Sequence, residues 1–331
     1  IDINKKIISN ADKQEFLFKW RGGEYMKCAY CGKEAKGTKE HIISGAVLDL
    51  FPECYLTFDD ARQVIHEADP MVKDVCADCN NNRISYIDSY AKEFISHYFT
   101  RKYNEDDIVE VEYDYVMIQK MLLKYAFNDM RSHKENCSFF DKEILNYLMD
   151  ACDNVPKENV TVLCGLAVNV SPLPDAMFGN MKLRWCKDPF LYSNSTIRNI
   201  DYETGQIFLN ENIEKEEFPD MKVSYLFRFN SVQFLLMCWD KNSENIERNK
   251  VVLGCQYPYY LMKENDEKAI LPLCTDEINY HKYGHIHVRW DGLSEVGLMR
   301  KQASGGTYEY KELYEKEWLK EEKRIKERHP R

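Results

Sequence analysis

Two Cys-x2-Cys pairs, Cys28 with Cys31 and Cys76 with Cys79, enclose an adjacent Glu40-His41 step, and the second pair runs directly into Asn80-Asn81-Asn82-Arg83. Thiolates are soft ligands, and two such pairs suit one closed tetrahedral Zn2+ site. A carboxylate, an imidazole and a side-chain amide nearby suit a second, open position for a hard divalent ion. Glu40 and Asn80 offer oxygen donors with a single negative charge, which leaves coordination positions for water and phosphate oxygens, as Mg2+ or Mn2+ requires. An imidazole titrates near neutrality, so His41 can take a proton from water at working pH. These residue types in this order point to metal-assisted hydrolysis of phosphodiester bonds.

Three segments carry a family resemblance: Cys28-Ala29-Tyr30-Cys31-Gly32, Lys39-Glu40-His41-Ile42-Ile43, and Val75-Cys76-Ala77-Asp78-Cys79-Asn80-Asn81-Asn82-Arg83. Together they resemble the HNH, or ββα-metal, nucleases in their zinc-bearing form, over residues 24–100. The resemblance implies a hairpin whose first strand ends at the acidic-His step, followed by a knuckle that opens a helix. It further implies an HNH-type endonuclease with His41 as general base and a catalytic Mg2+ or Mn2+ on Glu40 and Asn80. Cys28, Cys31, Cys76 and Cys79 would hold a structural Zn2+. Arg83 stands where the family often has a phosphate-contacting Lys, and with Lys39 it is the candidate substrate contact. The family's central Asn, which orients the base through backbone contacts, is Met71 here. Asn81 and Asn82 remain alternative ligands if the helix begins later.

Positioning these groups makes demands on the chain. Neighbouring residues on an ideal strand face opposite ways, so Glu40 and His41 can address one group only where the strand bends or ends. Zinc-thiolate bonds would fix the start of the helix relative to the hairpin and so set the place of Asn80. The segment 42–75 is longer than a minimal hairpin needs and holds Phe51-Pro52 and Asp69-Pro70 breaks, which predicts an inserted loop.

At 331 residues, 44% hydrophobic and 13% aromatic, the chain is expected to form more than one domain. The expected fold class is α+β. The expected division is an N-terminal helix (1–23), the zinc-stapled ββα nuclease domain (24–100), a helical connector (101–156), a β-rich or α+β domain (157–309) and a charged helix (310–331). Apolar recurrence places helices at 4–20, 83–98, 115–130 and 140–152. Alternating and β-branched runs place strands at 160–168, 181–185, 206–210, 223–229, 232–239 and 285–290. The polar end of the 115–130 helix, Asn128-Asp129-Met130-Arg131, reads as a domain contact. His285 and His287 share one strand face, and with no third ligand nearby they read as a surface pair.

No run of eighteen apolar residues exists, so a membrane span is not expected. The charged N-terminal stretch argues against a secretory signal, and the eight cysteines outside the knuckles read as reduced thiols, which together suggest a cytoplasmic protein. A formal net charge of −10 opposes phosphate binding. Residues 1–39 nevertheless hold eight Lys and one Arg against five acidic residues, a local +4 that could steer a nucleic acid, expected to be DNA, to one face. A homodimer or a partner protein engaged through the C-terminal region, and a role in restriction or phage defence, are the associated expectations. The alternative is a non-catalytic zinc ribbon that binds nucleic acid or protein.

Overall fold

The computed structural model describes residues 25–274 apart from 53, 55–56, 60–63, 67–68, 105, 169–181, 190–198, 201–206, 209–217, 219 and 257. The expected helices at 4–20 and 310–331, the strand at 285–290 and its two histidines lie outside the described residues. What is described is a mixed α+β arrangement with a cysteine cluster near its N-terminal end.

Strand β1 (Tyr25–Lys27) turns back through the first knuckle into β2 (Glu34–His41). The turn is closed by Cys28 N donating to Lys33 O and Gly32 N donating to Cys28 O, each at 2.9 Å, with Gly32 at φ 71°, where glycine carries no Cβ penalty. After β2 come a short helix α1 (Gly45–Leu48) and a small antiparallel pair, β3 (Thr57–Asp59) with β4 (Val64–His66). These fill the predicted insertion. Strand β5 (Met71–Cys76) then returns antiparallel against β2, completing the sheet order β1-β2-β5.

The second knuckle opens a π-helical turn, Cys79–Arg83, in which Ile84 N bonds Cys79 O at 3.0 Å. Helix α2 (Ser85–Tyr98) follows directly, burying Ile87, Ala91, Phe94 and Ile95, the recurrence that its sequence shows. Strand β6 (Glu110–Glu112) leads to α3 (Tyr115–Ser132), started by Asp114, whose carboxylate accepts from Met117 N at 3.0 Å. Asp141 caps α4 (Lys142–Met149) in the same way.

The rest is dominated by antiparallel strands: β7 (Val160–Leu166), β8 (Leu183–Lys187), the pair β9 (Asn199–Ile200) and β10 (Ile207–Phe208), then β11 (Met221–Phe229) and β12 (Val232–Trp239). Helix α5 (Ile246–Gln256), β13 (Tyr260–Leu261) and β14 (Lys268–Ile270) close the described chain, with β14 pairing back to β6. Five strands form one sheet in the order β13-β7-β12-β11-β8. Strands β7 and β12 are buried at every residue, so both faces of the sheet are covered. Alternate residues sort accordingly. Tyr225, Phe227, Phe234 and Leu236 join the apolar cluster that includes α2, α3 and the knuckle residues Cys28 and Tyr30, while Leu226, Leu235, Met237 and Trp239 join a second cluster with Leu253 of α5. Helices α2 and α3 therefore lie between the knuckle unit and the sheet and bind to both. At the β11–β12 turn, Asn230 Nδ2 donates to Phe99 O at 2.8 Å, tying the sheet to the end of α2. Among the described residues no helix is long and apolar enough to cross a membrane.

Candidate metal centre and active site

The four knuckle cysteines converge. Their sulfurs all lie within 4.8 Å of one another, and Cys31 Sγ and Cys76 Sγ are 3.8 Å apart. A tetrahedron with metal-sulfur bonds of about 2.3 Å has an edge of about 3.8 Å, so the cluster has the dimensions of a Zn2+ site. Amides support it as well: Cys76 N points to Cys28 Sγ at 3.4 Å and Cys79 N to Cys76 Sγ at 3.5 Å. Burial pushes the Cys28 thiol up, but backbone hydrogen bonds from Cys31, Cys76 and Tyr30 outweigh it and bring the thiol down to about 7. Burial and the neighbouring sulfurs push Cys79 up. A depressed Cys28 thiol beside a raised Cys79 thiol fits a closed site in which a cation would hold the sulfurs as thiolates. Other cysteines stand apart from this cluster: Cys164, Cys238 and Cys274 are buried, Cys54, Cys137 and Cys186 half-buried, and Cys152 exposed.

The Glu40-His41 step lies where β2 ends, just past an irregularity. Thr38 pairs with Val75 but Glu40 pairs with Val72, so β5 contributes one more residue than β2 between those pairs. Gly37 lies next to this bulge, and a Cβ there would run into the Lys73 carbonyl oxygen. The strand bend that the chemistry demands is therefore built in.

The two side chains part company at the step. Glu40 is 4% exposed and faces α3, where Lys124 Nζ lies 2.8 Å from Oε1 and Asn128 Nδ2 donates to the same oxygen at 3.3 Å. Lys124 is itself fully buried and also reaches Asp88 Oδ1 of α2 at 2.5 Å. Two carboxylates thus share one ammonium, leaving one net negative charge on the trio. His41 is half-buried, with Nε2 3.6 Å from Asp69 Oδ2. Its ring rests over the start of α1, where a Cβ on Gly45 would come within 3.2 Å of Cε1.

Asn80 is anchored on β2. Its Nδ2 donates to Thr38 Oγ1 and to Lys39 O, each at 2.9 Å, and Thr38 Oγ1 in turn donates to Val75 O at 2.8 Å. A carbonyl only accepts, so the amide orientation is fixed and Oδ1 points away from the strand. Of the three consecutive asparagines, Asn80 is the one on β2: Asn82 bonds Asp78 at 3.1 Å, and Asn81 is exposed. The structure places Asn80 one peptide bond from Glu40, yet no hydrogen bond or ion pair directly joins the side chains of Glu40, His41 and Asn80. Arg83 lines a groove of about 540 Å³ beside the knuckles, together with Lys27, Lys33 and Lys142. The Lys39 side chain is exposed.

The sequence patterns give Asp88 and Lys124 no role at the centre and mark Asn128 only as part of a domain contact. A signal for two of them exists. Lys120, Lys124 and Asn128 recur every four residues on α3, along one line of a helix whose other positions are apolar almost all round, so that line has no solvent to face. Lys120 is satisfied by Asp150 O at 2.8 Å and Asp153 O at 2.7 Å, and burial lowers its pKa. Asp129 meets the sheet, accepting from Trp185 Nε1 at 2.8 Å and Tyr225 Oη at 2.9 Å, so the polar end of this helix is a contact between the knuckle unit and the β-rich part, as its sequence suggests. Comparison with protein-family models, with curated proteins and with solved structures finds no match to this chain.

Proposed function

We propose that this chain is a metal-dependent endonuclease of the HNH type, with DNA as its substrate. The observation that supports this reading is the placing of Asn80. Its amide nitrogen is pinned to β2 at the Lys39 carbonyl, one residue before Glu40, which leaves Oδ1 off the strand as the oxygen we assign to the cation. Glu40 is held from behind through Oε1 by Lys124 and Asn128, and we assign Oε2 to the cation. The single negative charge left on Glu40, Asp88 and Lys124 suits a Mg2+ or Mn2+ that keeps most of its ligands as water and phosphate. When bound, the ion supplies charge relief on the phosphoryl oxygens and on the departing sugar oxygen.

His41, at the strand end and partly open to solvent, takes the proton of the attacking water, a contribution typically worth ~10²–10⁴-fold. The cysteine cluster, with Zn2+ bound, holds the π-turn against β2 and so sets Asn80 relative to Glu40. Arg83 and the lysines of its groove receive the phosphate backbone. In this reading the β-rich region does the targeting, an arrangement that would suit defence against foreign DNA.

One observation favours a second reading. The Lys124 ammonium already neutralises Glu40, as it would if the carboxylate served only to pair α3 with β2 and the zinc unit were a non-catalytic binding module. Purified protein incubated with plasmid DNA and with RNA in Mg2+, Mn2+ or EDTA separates the two. The expected result is cleavage with either ion, none in EDTA and none in His41→Ala. Nucleic-acid binding without turnover under every condition would establish the second reading instead.

A further inference from the structure

We propose that Asn128 is a positioning residue for the Glu40-His41 step, so that the reaction centre is completed by α3 and not by the ββα unit alone. The proposal rests on the nuclease reading for what the step does, and on geometry for how it is held. Asn128 is fully buried, and each hydrogen-bonding position of its amide is used. Its Oδ1 accepts from the Tyr30 hydroxyl at 2.9 Å and from Arg131 at 2.5 Å, while Nδ2 donates to His41 O at 2.9 Å and to Glu40 Oε1 at 3.3 Å.

Arginine only donates and a main-chain carbonyl only accepts, so the amide has one orientation. A single planar group thereby joins the first knuckle, the candidate ligand and the main chain of the candidate base. The last of these matters most. His41 is the final residue of β2, and α1 begins four residues later. A buried donor on its carbonyl fixes the peptide from which the ring projects.

Helix α3 is itself anchored. Arg131 pairs with Asp74 of β5 and lies over the rings of Tyr30 and Phe127, while Asp129 is bonded to Trp185 and Tyr225 of the large sheet. The support for His41 therefore runs through α3 to the sheet. Glu40 and His41 in an isolated ββα unit would lack it.

The informative variant is Asn128→Asp, which keeps shape but turns both donors into acceptors facing a carbonyl and a carboxylate. Histidine-ring NMR signals read the position of His41 without requiring activity; the His41 signal is identified by its loss in His41→Gln, and His97 on α2 serves as reference. The expected result is a displaced His41 signal and an unmoved His97 signal, with zinc content and cooperative melting retained. On DNA, kcat should fall about 10- to 100-fold with KM little changed, because the loss is in alignment and not in binding. If Asn128→Asp does not melt cooperatively, the pair Tyr30→Phe with Asn128→Ala, which also removes the hydroxyl that would be orphaned, carries the same measurement. A His41 signal that coincides with that of the parent in a folded variant overturns the proposal. If the parent protein cuts neither DNA nor RNA, the nuclease reading falls by itself, and the His41 signal still decides whether Asn128 holds the step.

Discussion

Lys124 Nζ lies 2.8 Å from Glu40 Oε1, with the lysine side chain wholly buried and the glutamate side chain 5% exposed. Removing one member of such a pair is far more damaging than removing both, because the survivor is left charged in a medium that cannot solvate it. Lys124→Met is expected to cost about 3–5 kcal/mol of stability. Combining it with Glu40→Met should recover most of that loss, since Asp88, at 24% side-chain exposure, can still reach water. Thermal melts test the stability part. Cleavage assays on the double variant test the chemistry: a protein that melts like the parent yet cuts nothing places Glu40 in the reaction, whereas full activity would reduce the pair to architecture.

The cysteine cluster should behave as one unit. Cys79→Ser removes a fully buried sulfur from the four, and metal-linked folding free energy on the order of 10 kcal/mol is at stake in small zinc units. The variant should contain well under one zinc per chain by elemental analysis, and its melting temperature should no longer respond to a strong chelator, whereas that of the parent should drop. His41→Ala should keep both the zinc and the chelator response while losing cleavage. A Cys79→Ser protein that retains stoichiometric zinc would refute the four-sulfur site.

Gly37 tests the bulge. A Cβ at this position would overlap the Lys73 carbonyl oxygen, a backbone atom that moves only if β2 and β5 separate. Gly37→Ala is expected to cost about 1–3 kcal/mol, as overpacking usually does, and to reduce cleavage further than the stability loss explains, because the Glu40-His41 step follows directly. Urea denaturation combined with single-turnover kinetics measures both. A variant as stable as the parent would mean that the register between Thr38 and Glu40 is looser than this close approach implies.

The knuckles, helices α2 and α3, and strands β7, β11 and β12 are legible in the sequence because each rests on a local rule: ligand spacing, a stripe of apolar residues, or an alternating or near-continuous apolar run of at least seven residues. Helix α5 is not legible. Apart from Ile246 at its start, its aliphatic residues Val251, Val252 and Leu253 are consecutive and make no stripe, and of these three only Leu253 is buried while Val251 is 65% exposed. Strands of two or three residues, such as β6, β13 and β14, exist through their partners and carry no periodicity of their own. At the site, ligand types can be named from spacing, but the partners of Glu40 cannot. Lys124 and Asn128 lie 84 and 88 residues further along the chain, and pattern reading sends polar helix positions to solvent. The rule fails because α3 is enclosed by the knuckle unit on one side and the large sheet on the other.

Asp129 gives a pH signature for that enclosure. Burial raises its carboxyl pKa above the ordinary aspartate value, and this outweighs the lowering by His133, Trp185 and Tyr225. A carboxyl whose folded pKa exceeds its unfolded one stabilises the fold most when protonated in both states, and that contribution is lost as pH rises from the unfolded value through the folded one. The contribution of Asp129 should therefore fall over the weakly acidic range above about pH 3.9, the ordinary aspartate value, against the opposite trend of carboxyls held below their ordinary values, such as Glu143 bonded to Lys241. A carboxamide in place of the acid cannot ionise, so the Asp129→Asn variant should lack this drop and gain on the parent as pH increases. Urea midpoints for the two proteins between about pH 3.5 and 7 provide the measurement. A difference between them that is constant across the range would mean that the Trp185 and Tyr225 hydrogen bonds fully compensate the buried charge, and that the junction between α3 and the sheet tolerates an ionised carboxylate at no cost.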